Sequence, residues 1–263
     1  MASEADLRIE TVKSERSGLI MIITIRGKLA PSAPLKQNRM HQNDSVRAEE
    51  ECVYTIKCPL KGDFNAWNLC AALCAVLSRG MTMDDIIPRI SRIRPVAGRI
   101  EELFFGQPYR IVLDYAHTVD AFRQILPYLV RTGEGRLITL TGSAGEREKE
   151  KRPEIGRLVT EYSDTVIFTM DDPRTEDVNE IIEDLISGCK KDNYIRIPDR
   201  AEAISAAIRL ARPGDTVLIA GKGRDPFMAL GEIYIPYSDY DVIASVLSDC
   251  HKNTFPSSAG TAR

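Results

Sequence analysis

The spacing of hydrophobic and polar positions changes character near residue 63. Before that point, 7–27 alternates in part and contains LIMIITI at 19–25, which predicts a strand. Residues 28–51 are polar, carry two prolines and show little periodicity, the pattern of a loop or irregular insertion. An extended pattern returns in VYTIK at 53–57. A helix is predicted over 65–79, stopped by Gly80. A second is predicted over 83–93, with Thr82 as its cap and Asp84 and Asp85 at its positive end. The proline and glycine of IRPVAGRIEEL at 93–103 mark the best domain boundary. Beyond it, strands are predicted at 111–114, 136–142, 165–170, 194–197 and 216–221. They alternate with helices at 119–130, 155–162, 178–186, 200–211 and 239–247, Asp199 capping the helix at 200–211 and Pro213-Gly214 ending it. The last residues, NTFPSSAGTAR, read as a frayed tail. Such alternation implies βαβ units in a mostly parallel sheet, with right-handed crossovers placing helices on both faces.

Composition narrows the class. The 263 residues carry 28% charged and 43% hydrophobic side chains, ordinary for a globular protein of one or two domains. A net charge of −3 argues against a nucleic-acid partner. The longest apolar run, 69–77, is about half of a membrane span. The six cysteines form no C-x-x-C pair, and Cys70 and Cys74 sit at helical spacing in an apolar stretch, where core packing is their ordinary role. MASEADLRIE lacks the basic and apolar regions of a signal peptide, so a cytoplasmic protein with free thiols is expected.

Ligands of open parallel sheets bind beyond the carboxyl ends of the strands. Four polar motifs fall there: DYAHT at 114–118, TGSAGEREKEKRP at 141–153, DDPR at 171–174 and GKGRD at 221–225. Asp114 suits a hydroxyl or a helix cap, and His117 a phosphate or plain solvent. The charged run after Gly145 resembles a phosphate loop only loosely and would equally be a solvated face. Neither G-x-x-x-x-G-K-[ST] nor a G-x-G-x-x-G after a strand occurs, which disfavours a dehydrogenase. Asp171, Asp172 and Arg174 suit a zwitterion, with carboxylates for an ammonium and a guanidinium for a carboxylate, or a charged turn pairing with itself. Gly221 and Gly223 permit close approach of a ligand, Lys222 and Arg224 add positive charge, and Asp225 offers an amine acceptor.

FNAWN at 64–68, PVAGRIE at 95–101 and these four motifs, in this order, resemble the Mur ligase family, most closely the members that add the third residue of the peptidoglycan peptide. The resemblance covers about 63–247, and ADLRIETV at 6–13 is similar to a further family segment. It implies an α/β fold. Residues 98–263 would form a Rossmann-like C-terminal domain that binds the incoming amino acid. Residues 1–97 would be a remnant of the ATP-binding central domain, interrupted by the insertion at 28–51. It implies an ATP- and Mg²⁺-dependent ligase joining a diamino acid to UDP-N-acetylmuramoyl-L-alanyl-D-glutamate through an acyl phosphate, with no protein nucleophile and no metal ligand in this chain. Asn65, Asn68, Arg99, Asp114 and His117 match nucleotide-side positions; Arg147, Asp171, Asp172, Arg174, Gly221 and Asp225 match the amino-acid pocket.

Two motifs depart from the family pattern, DDPR for DNPR and GKGRD for GKGHE. The retained Arg174 favours diaminopimelate, whose distal carboxylate it would grip, over lysine. No P-loop, carbamylated lysine or sugar-nucleotide domain is seen, so negligible ligase activity is expected of this chain alone. A non-catalytic binding module, or half of a split ligase completed by another chain, is the alternative.

Overall fold

The computed structural model of the chain describes residues 7–26 and 51–254. The insertion expected at 28–51 lies outside the described residues apart from Glu51, as do the first six residues and most of the expected tail. The chain divides into two compact units, Met1–Pro95 and Val96–Arg263.

In the first unit, strands β1 (Leu7–Glu15), β2 (Gly18–Ile25) and β3 (Cys52–Cys58) form an antiparallel sheet with β2 in the middle. The partly alternating segment at 7–27 is therefore a hairpin of two strands. Side chains on a strand alternate between faces, so Leu19, Met21, Ile23 and Ile25 share one, each at most 1% exposed. They join a core with Ala66, Leu69, Leu73 and Leu77 of helix α1 (Phe64–Leu77) and Met83, Ile86 and Ile90 of helix α2 (Met83–Ile90), residues at the three- and four-residue spacing of one helix face. Thr82 and Asp85 form a reciprocal capping box on α2. That helix ends three residues early, with residues 91–92 in a turn. Cys70 packs in this core, and burial pushes its thiol up to about 11. Cys52, Cys58, Cys70, Cys74 and Cys189 are free thiols.

The second unit holds a six-stranded sheet in the order β4-β5-β9-β6-β7-β8. Its strands are β4 (Glu101–Leu103), β5 (Arg110–Asp114), β6 (Leu137–Thr141), β7 (Thr165–Phe168), β8 (Tyr194–Arg196) and β9 (Thr216–Ala220). Every neighbouring pair is parallel except β4 with β5. All residues of β5, β6 and β9 are buried, as a sheet covered on both faces requires. Helices α3 (Val119–Thr132), α4 (Lys151–Tyr162), α5 (Val178–Ile186), α6 (Arg200–Leu210) and α7 (Asp239–Thr254) cover it. This is the expected Rossmann-like α/β architecture. A separate antiparallel hairpin, β10 (Phe227–Leu230) and β11 (Ile233–Pro236), follows β9.

Helix α4 begins at Lys151, four residues before its expected start, because Pro153 lies in the first turn, where its missing N–H has no intrahelical acceptor to lose. Helices α4 and α5 approach so closely that a Cβ on Gly156 would lie 1.8 Å from the Leu185 carbonyl oxygen. One on Gly188 would meet the Pro153 carbonyl at the same distance.

Candidate functional site

The loops after β5, β9, β6 and β7 leave four adjacent strands at their carboxyl ends and line one cavity of about 390 Å³. The first contributes Tyr115, His117 and Thr118, and the β6 loop contributes Arg147, Glu148 and Lys151. Asp171, Asp172 and Arg174 follow β7; Gly221, Lys222 and Asp225 follow β9. Eight residues singled out from the sequence thus meet: His117, Arg147, Asp171, Asp172, Arg174, Gly221, Lys222 and Asp225.

Asp171 is 5% exposed, and burial raises its carboxyl above the ordinary aspartate range. Gly221 leaves the space for it: with φ +116°, it would carry a Cβ 2.1 Å from Asp171 Oδ2. Asp172 Oδ1 accepts from the buried Lys222 ammonium at 2.7 Å and from the Ala229 amide at 2.9 Å. Lys222 also reaches Asp225 Oδ2 at 3.4 Å. The aspartate at the DNPR asparagine position thereby neutralises a lysine that is 1% exposed, a pairing a neutral amide lacks. Arg174 donates through its guanidinium to the Gly145 carbonyl at 2.6 Å and has no carboxylate partner among the described residues. Arg147 is exposed, with no hydrogen bond or ion pair to a described residue.

Backbone strain gathers around the cavity. Glu146, Asp172 and Arg174 have φ of 54°, 46° and 51°, left-handed values that side chains disfavour and that a surrounding structure must enforce. Gly145 N–H donates to the Asp172 carbonyl at 3.0 Å, and Arg174 N–H to the Ala229 carbonyl at 3.1 Å, so the DDPR loop is held by the β6 loop on one side and by the β10–β11 hairpin on the other.

The remaining expected residues lie elsewhere. Asp114 is 6% exposed, and its two oxygens accept from Ile100 N–H and Ala116 N–H, each at 2.7 Å. It shapes the end of β5, each oxygen held by one backbone amide. Arg99 stacks over Tyr115, 4.8 Å from the ring centroid, while His117 meets the same ring edge-on at 4.9 Å and bonds the Tyr115 carbonyl through Nδ1. In the first unit, Asn68 donates to Asn65 at 3.0 Å, and Asn65 to the Lys61 carbonyl at 2.6 Å. The two cations of GKGRD separate: Lys222 turns into the cavity, whereas Arg224 pairs with Glu101 at 2.6 Å and covers Tyr240.

Two arginines escaped sequence reasoning. Arg200 is 1% exposed and grips both oxygens of Asp239 at 2.8 Å. It also bonds the Met170 and Ala220 carbonyls, the strand ends that bear Asp171 and Gly221. Arg152, fully buried, bonds Glu176, Asp184 and the Ala144 carbonyl. Among the described residues, no helix is long and apolar enough to cross a membrane, and no group of three or more His, Cys, Asp or Glu could hold a metal ion.

A parallel sheet with a charged cavity beyond four strand ends defines a ligand-binding domain of Rossmann-like type. Residues 98–223 match the family described as Mur ligase, glutamate ligase domain, and this portion of the chain is a domain of that kind. It is 41% identical over 187 residues to a UDP-N-acetylmuramoyl-L-alanyl-D-glutamate–L-lysine ligase of Staphylococcus aureus, covering 71% of this chain and 38% of that protein. The same-named ligase of Staphylococcus haemolyticus is 40% identical over the same shares. Among solved structures, a UDP-N-acetylmuramoyl-L-alanyl-D-glutamate–2,6-diaminopimelate ligase aligns with TM-score 0.59 at 27% identity, over 95% of this chain and 47% of that one. A folylpolyglutamate synthase of Mycobacterium tuberculosis shares the fold alone, with TM-score 0.61 at 16% identity, over 83% of this chain and 46% of that one. The chain spans 38% of the length of the curated relatives it matches.

Proposed function

We propose that the second unit binds a diamino acid. Held there, the acid offers its amine for ATP-dependent amide-bond formation with UDP-N-acetylmuramoyl-L-alanyl-D-glutamate, a step of peptidoglycan precursor synthesis. The cavity's charge distribution carries the reading. Asp171, unpaired and buried, suits an ammonium, while Arg147 and Arg174, without carboxylate partners, suit carboxylates. ATP supplies the activation of the acid partner's carboxylate. The part of this chain is to hold the amine-bearing molecule and keep its polar ends aligned, since positioning contributes much of the barrier lowering in such a transfer. Arg99, Tyr115 and His117 present a stacked cationic–aromatic surface that suits the nucleotide side. Mg²⁺ belongs to the complete ligase reaction, and the described residues contribute no ligand cluster of their own.

Two guanidinium groups without carboxylate partners favour diaminopimelate, which has a carboxylate at each end. The Staphylococcus relatives, named as lysine ligases, favour lysine as the second reading. Titration calorimetry of the 263-residue chain with both acids decides. Diaminopimelate is expected to bind more tightly, and Arg174→Ala to weaken it about tenfold, the loss of one charge-assisted bond. Tighter lysine binding supports the second reading, and no heat from either acid with a folded chain contradicts both.

A further inference from the structure

The two arginine-bearing loops of the cavity are joined outside it. Arg152, in the first turn of α4, is fully buried and donates one guanidinium nitrogen to Glu176 at 3.0 Å and to Asp184 of α5 at 2.8 Å. The other nitrogen bonds the Ala144 carbonyl at 3.1 Å. Glu176 also accepts from the Glu146 amide and pairs with Lys149 at 3.1 Å. The Glu146 carboxylate in turn accepts from the Thr175 hydroxyl. Gly145 permits this contact, because a Cβ there would lie 1.9 Å from the Pro173 carbonyl oxygen. Arg152 and Glu176 therefore bind loop 144–149 to loop 172–176, and the three left-handed non-glycine residues beside the cavity all lie in these loops. Strained backbone persists only where such ties over-determine it. Arg147 projects from one loop and Arg174 from the other.

We propose that Arg152 and Glu176 are positioning residues of the cavity: their ion pair, buried on the arginine side, locks the two loops together and so fixes the separation of Arg147 and Arg174. They touch no ligand and act through the two arginines. The ligand part of this inference rests on the diamino-acid reading above. The pair sets how well the cavity distinguishes an acid with two carboxylates from one with a single carboxylate.

The test compares Glu176→Ala and Glu176→Gln with the parent chain, by hydrogen exchange and by calorimetry with diaminopimelate and lysine. Without the carboxylate, amides of 144–149 and 174–176 are expected to exchange about tenfold faster, the worth of a bond to a charged group, while those of β9 and α6 keep parental rates. Diaminopimelate binding weakens by about the same factor and lysine binding by less. Glu176→Gln, whose single amide oxygen keeps the bond from Arg152 or the one from the Glu146 amide but not both, falls between. Parental exchange in both loops of a folded Glu176→Ala chain overturns the lock, as does a uniform rise in exchange through the whole unit. Equal weakening of the two acids overturns the link to selectivity. If the parent binds neither acid, the diamino-acid reading fails while the exchange comparison still decides the lock. If Glu176→Ala does not fold, Glu176→Gln gives the same comparison with smaller differences.

Discussion

The two units bury very different side chains. Among its described residues, the first buries only Ser14 and Thr24 besides apolar groups, and its sheet and helices meet through aliphatic side chains. The second buries Asp114, Arg152, Asp171, Arg200, Lys222 and Asp239 around the carboxyl ends of its strands. Removing a charge from water costs several kcal/mol unless partners replace the lost solvation, so charges gain little as plain scaffolding. Most of these are matched: Arg200 with Asp239, Arg152 with Glu176 and Asp184, Lys222 with Asp172. Asp114 is held by two backbone amides instead, and Asp171 is the exception and faces the cavity. Packing thus holds the first unit together, whereas in the second a network of paired charges holds loops in conformations that packing alone would not select.

The contrast can be broken in several places. The largest effect is expected from Asp239→Ala, which leaves Arg200 buried without its partner and should cost about 3–5 kcal/mol in urea unfolding. A matching loss in the first unit needs a core truncation such as Ile23→Ala, at about 2–5 kcal/mol. An Asp239→Ala loss under about 1 kcal/mol would show that the buried pair is not what ties the strand ends. Next comes Gly221→Ala. Its Cβ collides with Asp171, so roughly 1–3 kcal/mol of stability and most diamino-acid affinity should disappear together. Retained affinity would separate Asp171 from binding.

A pH series sharpens the same point. Arg152, then the Glu146 amide and Lys149, hold the Glu176 carboxyl down at about 2. A depressed native value means that its stabilisation is present above the ordinary glutamate value of about 4.5 and is lost as pH falls toward 2. The stability difference between the parent and Glu176→Gln should be constant near neutrality and shrink below about pH 4.5. Asp171 runs oppositely: its raised value makes ionisation destabilising, so its contribution is favourable below about 3.8 and is lost as pH rises through the native value. The smallest effect belongs to Asn68→Ala in the first unit, where an exposed amide pair is worth under about 0.5 kcal/mol.

What the sequence revealed follows the same division. Helix α5 begins and ends as its apolar spacing predicts, and Asp199 caps α6 by accepting from the Glu202 amide. Strands β5, β6, β7 and β9 are legible because a fully buried parallel strand is a short β-branched run. Strands β4, β10 and β11 have only three or four residues and owe their form to the neighbour they pair with, not to local spacing. The convergence of four polar loops was readable from the rule for parallel sheets. Arg152 and Arg200 were not. On sequence each is one more charge on a helix, and its burial depends on partners 24 to 39 residues away. Asp114, which on sequence suits a hydroxyl or a helix cap equally, accepts from two backbone amides that no local spacing announces.

Where a diamino acid sits on the molecule is the most direct test of the proposed function. A crystal structure of the chain grown with diaminopimelate should place it beyond β5, β9, β6 and β7, an ammonium about 3 Å from Asp171 and a carboxylate at the same distance from Arg147 or Arg174. A ligand bound elsewhere on the molecule, or lying in this cavity with its charged groups turned from Asp171 and from both arginines, would contradict it.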